Sequence, residues 1–115
     1  MTDREMLELA AKAGGYARHE YVENSARDGR VVTGHYDSLL EVCINPLDDD
    51  GDTLRLAVDL RFEIDVTDSG VAVRTKCGLK VLVSTNEEPD LRAATRRAIT
   101  RAAAEIGRQM EESND

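Results

Sequence analysis

A long helix over residues 90–110 most constrains what this chain can fold into. Glu88-Pro89-Asp90 sets a proline near the first helical position, where its missing N–H is no loss, and acids in the first turn, where the helix dipole is positive. Leu91, Ala94, Ala98, Ala102 and Ile106 recur on one face. Residues this small allow close packing on a sheet. Gly107 interrupts the helix only mildly before Met110. At 115 residues the chain is expected to be a single domain, 1–115, with Glu111–Asp115 as a polar, disordered tail. Its 41% of apolar residues can supply a modest core without metal or disulfides.

Upstream, Thr2 and Glu5 have the spacing of a capping box, and Met6, Leu9, Ala10 and Ala13 make an apolar stripe that Gly14-Gly15 stops. This predicts a first helix of about twelve residues. From Tyr16 to Ile44, β-favouring residues (Tyr21, Val22, Val31 to Thr33, Leu39 to Ile44) are separated by the turn-type cluster Asn24–Gly29, which predicts two or three short strands or a strand and a loop.

Asp48, Asp49, Asp50 and Asp52 then crowd around Gly51. Read as a calcium loop starting at Asp48, the segment has Thr53 where glycine is needed and Asp59 where a bidentate glutamate is needed. Capping of a following helix explains the acids better. The next residues alternate apolar and polar from Leu54 to Val66, a strand-like period, yet Leu54, Ala57, Val58 and Arg61 also share a helical face beside Leu56 and Leu60. With the acidic cap before them, the expectation is a helix from about Asp50 to Leu60, then a strand from Arg61 to Val66. Thr67-Asp68-Ser69-Gly70 is a turn into Val71, Val73 and Thr75, and Leu79, Val81 and Val83 give one more strand. The expected fold class is α+β: a small antiparallel sheet with an N-terminal helix, a short central helix and a long C-terminal helix.

With 15 basic against 23 acidic residues, the net charge of −8 disfavours general attraction to nucleic acid or to anionic membrane. No apolar run approaches the ~20 residues that span a bilayer, and the acidic start does not resemble a signal peptide. Cys43 and Cys77 belong to no metal or catalytic signature and read as inert, apolar-flanked thiols. With His19 and His35 they lack the close ligand pairs of a zinc site, so neither a metal nor a cofactor is expected. No nucleophile–base pair, paired acid and base, or phosphate loop can be placed, so the chain is read as a non-enzyme.

The terminal helix is the charge anomaly. Residues 90–110 hold five arginines against Asp90 and Glu105, for a net +3. Arg97, Arg101 and Arg108 fall within about 40° on one flank of the apolar face, and Arg92 and Arg96 lie on the other. Three guanidinium forks in a row could clamp phosphates. The plainer reading is that they pair with the acidic surface of their own domain or of a twin subunit, or keep a solvated face, and contact with a partner protein is a further one. A homodimer or higher homo-oligomer is expected on this ground and on the abundance of small apolar residues in the helix.

Three blocks, residues 1–13, 45–58 (NPLDDDGDTLRLAV) and 93–108 (AATRRAITRAAAEIGR), resemble a family of small uncharacterised proteins encoded by tailed phages and prophages. The resemblance implies an α+β accessory protein acting in the host bacterial cytoplasm, with a helical Asp-capped block, and it brings no activity or catalytic residues. Two functions follow as expectations. One is binding of a host protein, as an antagonist of a host antiviral defence. The alternative is sequestration of a nucleotide or other phosphate ligand by Arg97, Arg101 and Arg108.

Overall fold

The computed structural model describes residues 1–113. In chain order these form helix α1 (Asp3–Gly14), strands β1 (Glu20–Arg27), β2 (Arg30–Asp37) and β3 (Val42–Ile44), helix α2 (Asp50–Asp59), strands β4 (Glu63–Thr67), β5 (Gly70–Arg74) and β6 (Lys80–Ser84), and helix α3 (Leu91–Ser113). The fold is α+β, and its antiparallel strands divide into two three-stranded sheets, β1-β2-β3 and β4-β5-β6.

Helix α3 is the hub. Asp90 accepts the Arg92 amide at 2.9 Å and so caps the first turn. Ala94, Ala98, Ala102, Ala103 and Ala104 are fully buried, as is Thr100, whose hydroxyl donates to the Arg96 carbonyl. One side of the helix lies on β5 and β6, whose Val71, Val73, Val81 and Val83 complete the core. Each such valine contributes ~1.5–3 kcal/mol by leaving water. Helices α1 and α2 cover other sides of α3. The small residues expected to call for a second copy are therefore covered within one chain. The helix also runs on through Glu111–Ser113, part of the expected tail, and Lys12 of α1 pairs with Glu111 there; residues 114 and 115 lie outside the described residues.

Asp3 meets Arg97, Leu9 meets Gly107 and Lys12 meets Glu111, so α1 runs parallel to α3. A Cβ at Gly107 would stand 2.0 Å from the Leu9 carbonyl oxygen, which makes this glycine the contact point of the two helices. Helix α1 has the predicted Thr2 cap and left-handed Gly15 stop. Its buried stripe is Met6, Leu7, Ala10 and Ala11, with Leu9 and Ala13 only half-buried. The stripe is turned because α1 also faces the first sheet, where Arg4 stacks 5.0 Å above the Tyr21 ring.

The first sheet corrects one turn. Asn24 to Arg27 belong to β1, with a bulge between Val22 and Ser25, and Asp28-Gly29 alone makes the hairpin. Both residues have positive φ, +52° and +78°, the pairing that fits a two-residue turn to strand twist.

The ambiguous stretch resolves as helix α2 followed by strand β4. Asp49 caps α2 by accepting the Asp52 amide at 2.8 Å, and Arg61 leaves the helix at φ +59°. The buried face of α2 is Thr53, Leu56 and Ala57, with Leu60 packed beside it. Leu54 and Val58, expected on that face, point to solvent. Among the described residues no helix is long and apolar enough to cross a membrane.

Candidate functional site

The three arginines singled out by helical spacing do sit along one side of α3, but they reach to separate places. Arg97 pairs with Asp3 at the start of α1, 3.1 Å away. Arg101 reaches Glu87 in the loop before α3 at 2.5 Å, and this contact, with Arg97 nearby, holds the Glu87 carboxyl below the usual range. Arg108 is bridged by Glu105 and Glu112 of its own helix at 2.7 and 2.6 Å. On the opposite flank Arg96 donates to the Leu47 carbonyl and to Asp50. Four of the five arginines of the basic helix are thus paired with acids of their own fold, and among the described residues no two of these guanidinium groups share an acceptor. A phosphate clamp needs forks converging on one anion, and these forks diverge.

A concavity of ligand-cleft size lies elsewhere. It is a groove of about 690 Å³ between the β2–β3 hairpin and α2, with Gly14 and Tyr16 also in its lining. Four aspartates, Asp48, Asp49, Asp52 and Asp59, line it against two arginines, Arg30 and Arg55. Val31, 72% exposed, and Val42, 43% exposed, give it an aliphatic rim. Its size is that of ligand clefts, yet it is an open trough, with an acidic wall and an apolar one.

The acids of this trough are structural as well. Asp52 accepts the Asn45 amide at 2.9 Å and pairs with Arg55 at 2.5 Å, and Asp49 is the α2 cap. Asn45, 93% buried, donates to the Thr33 carbonyl at 2.8 Å and accepts the Leu47 amide, which ties the first sheet to the start of α2. Gly34 completes this junction: a Cβ there would meet the Ile44 carbonyl at 2.5 Å. The Asp48–Asp52 cluster, read from sequence as capping, therefore also builds one wall.

The titratable groups near the groove bear on its chemistry. Burial and then Asp52 push the Cys43 thiol up; Arg30 opposes them, and Asp48 adds the smallest upward effect. It stays protonated at neutral pH and is a poor nucleophile. Tyr16 lines the groove with its hydroxyl buried and without a hydrogen-bond partner among the described residues, and burial followed by Asp52 raises its pKa. Its ring meets His35 edge-on at 5.4 Å, and Tyr21 meets the same imidazole at 5.4 Å. His35 is 4% exposed with Nδ1 unpartnered, and burial lowers its pKa. These aromatics are a packed support behind the groove.

Cys77 differs from the sequence expectation: it is exposed, in the turn between β5 and β6. A hydrogen bond with the Thr75 hydroxyl and then backbone contacts shift its thiol down. The groove as a whole was beyond sequence reasoning, because its walls come from distant segments and carry no shared local pattern.

No protein-family model matches the chain, and no curated protein or solved structure matches it.

Proposed function

We propose that this chain is a phage accessory protein of non-enzymatic type that binds a host protein, in the service of antagonising a host antiviral defence. The phage setting rests on the three-block sequence resemblance. The observation that carries the binding role is the trough between β2–β3 and α2, which has an apolar rim and a surplus of carboxylates. A partner that fits it presents aliphatic side chains flanked by lysine or arginine. Aliphatic contact supplies affinity, and the carboxylates steer a basic partner and reject acidic ones. The alternative, a nucleotide sponge using Arg97, Arg101 and Arg108, requires each guanidinium to leave a carboxylate it already holds. Each exposed pair given up contributes little, so what weighs against the clamp is that the three groups are held at separate places rather than on one anion.

Two measurements test this. Capture from bacterial lysate is compared for wild type, Val31→Lys, Asp59→Lys and the control Arg108→Glu, and the captured protein is purified and titrated. Binding lost in the two groove variants and kept in the control supports the proposal; equal binding in all four removes the groove. Calorimetric titration with linear and cyclic nucleotides on wild type and Arg101→Glu tests the alternative. A micromolar signal that vanishes in the variant would make nucleotide sequestration the better account.

A further inference from the structure

Strand β4 is an open edge, and its inward side chains are uncovered. In the second sheet Ile64 stands opposite Val73 and Val66 opposite Val71, so all four share the face that meets α3. Val71 and Val73 are 2% and 0% exposed, whereas Ile64 and Val66 are 39% and 50% exposed. The cause is the placement of α3 over β5 and β6, which leaves β4 outside its footprint.

The backbone of β4 is open in the same direction. Asp68 and Ser69 form a two-residue turn closed by the Thr67–Gly70 pair, and hydrogen-bonded pairs alternate along the ladder from there. Glu63, Asp65 and Thr67 thus bond to β5, while Ile64 and Val66 aim their N–H and C=O groups at the free edge. The edge carries no proline, lysine or bulge, devices that commonly protect such strands. Its guards are Glu63 and Asp65 on the outer face. Glu63 has Arg74 across from it, but Asp65 faces Ala72 and then Leu82, so its carboxylate has no cation in its row.

These acids select the occupant. A second copy adding antiparallel about the strand centre would place Asp65 against Asp65, a like-charge pair that destabilises a ladder. A strand with lysine or arginine opposite Asp65, and aliphatic residues beside Ile64 and Val66, satisfies the backbone, the apolar face and the charge together. We infer that the edge of β4 is a strand-addition site for an extended segment of a partner protein that alternates aliphatic and basic residues. This goes beyond the groove and does not depend on it.

The test is a heteronuclear NMR titration of the full chain with a short blocked peptide of alternating lysine and valine. Saturable shifts centred on Ile64 to Val66, with slowed amide exchange at those two residues, are expected. Asp65→Lys should weaken binding about tenfold or more, and Ile64→Pro, which removes an outward amide together with the exposed aliphatic side chain, should abolish it. Retained exchange protection at Val71 and Val73 shows that either variant is folded. Val31→Lys should leave the titration unchanged, which separates this site from the groove. The proposal is overturned by any of three results. One is no shift at millimolar peptide, and a second is equal binding of a peptide N-methylated at alternate residues, which would mean charge alone. The third is sedimentation showing wild type self-associating through β4, lost in Ile64→Pro.

Discussion

Replacing Gly107 by alanine tests the parallel packing of α1 on α3 directly. An added Cβ would lie 2.0 Å from the Leu9 carbonyl oxygen, 2.8 Å from its carbon and 3.2 Å from its Cα. Carbon–oxygen contacts of this kind sit at ~3.3–3.6 Å even when mildly attractive, so the helices must part by roughly 1 Å at the crossing. The obstacle is backbone and cannot rotate away. Parting loosens contacts around Met6, Ala10 and Ala103, all 2% exposed or less, and a gap of ~0.5–1 Å forfeits about a quarter to a half of each dispersion well. Overpacking in cores costs ~1–3 kcal/mol, and a rigid obstacle puts this site near the top of that range. The helix propensity of alanine returns ~1 kcal/mol, which leaves a net loss of about 2 kcal/mol. Urea unfolding followed by far-ultraviolet circular dichroism should show a lowered midpoint with an unchanged slope. Gly51→Ala is the control: it lies in the first turn of α2, where the nearest atom to a new Cβ is the end of the Asp49 side chain at 3.2 Å rather than backbone, and it should cost less than Gly107→Ala. A Gly107→Ala protein as stable as wild type, or more so by ~1 kcal/mol as propensity alone demands, would refute the close crossing.

Burial holds the His35 imidazole below its ordinary value, with Glu8 opposing and His19 adding. The unfolded chain therefore takes up that proton first, so stability is complete above about pH 6.5 and declines as the pH falls below it. His35→Phe should flatten the dependence of the urea midpoint between about pH 5 and pH 7 relative to wild type, and identical slopes would exclude the effect. Cys77 should alkylate faster than Cys43, since one thiol is exposed and shifted down and the other is half-buried and shifted up; Thr75→Ala should slow it, as read by mass spectrometry. Asp49→Ala removes the α2 cap and should cost ~1 kcal/mol in denaturant unfolding, whereas Asp50→Ala, which loses a pair whose Asp50 side chain is 75% exposed, should cost less.

The elements were largely legible because their signals are local. Thr2 with Glu5, Gly14-Gly15, the aspartates before α2 and the Thr67–Gly70 turn all act within a few residues of themselves. What local patterns cannot carry is which face a neighbour covers. Leu54 and Val58 look like core on a helical wheel, but Thr53 is buried in their place, because its hydroxyl donates to the Pro46 and Asp49 carbonyls. Gly107 looks like a mild flaw in a helix until Leu9 is brought against it. The arginine flank had the same limit: spacing put Arg97, Arg101 and Arg108 on one side, while Asp3, Glu87 and Glu112, which neutralise them, come from three different segments.

This placement of α3 also decides where binding surface is left. A helix lined with alanine brings β5, β6, α1 and α2 close around one axis, and its arginines take up acids from α1, α2 and the loop before it. The chain's surplus negative charge then remains on elements beyond the hub's reach. Asp59 beside the trough and Asp65 on β4 have no cation within salt-bridge distance among the described residues, and each stands near exposed aliphatic side chains. Burial of Val31 and Val42, or of Ile64 and Val66, by a partner carries a driving force of ~25 cal/mol per Å², and the adjacent carboxylates decide which partner can supply it. An acidic strand or an acidic helix is rejected at both places by the same repulsion, so the two surfaces select the same chemistry although they share no residue.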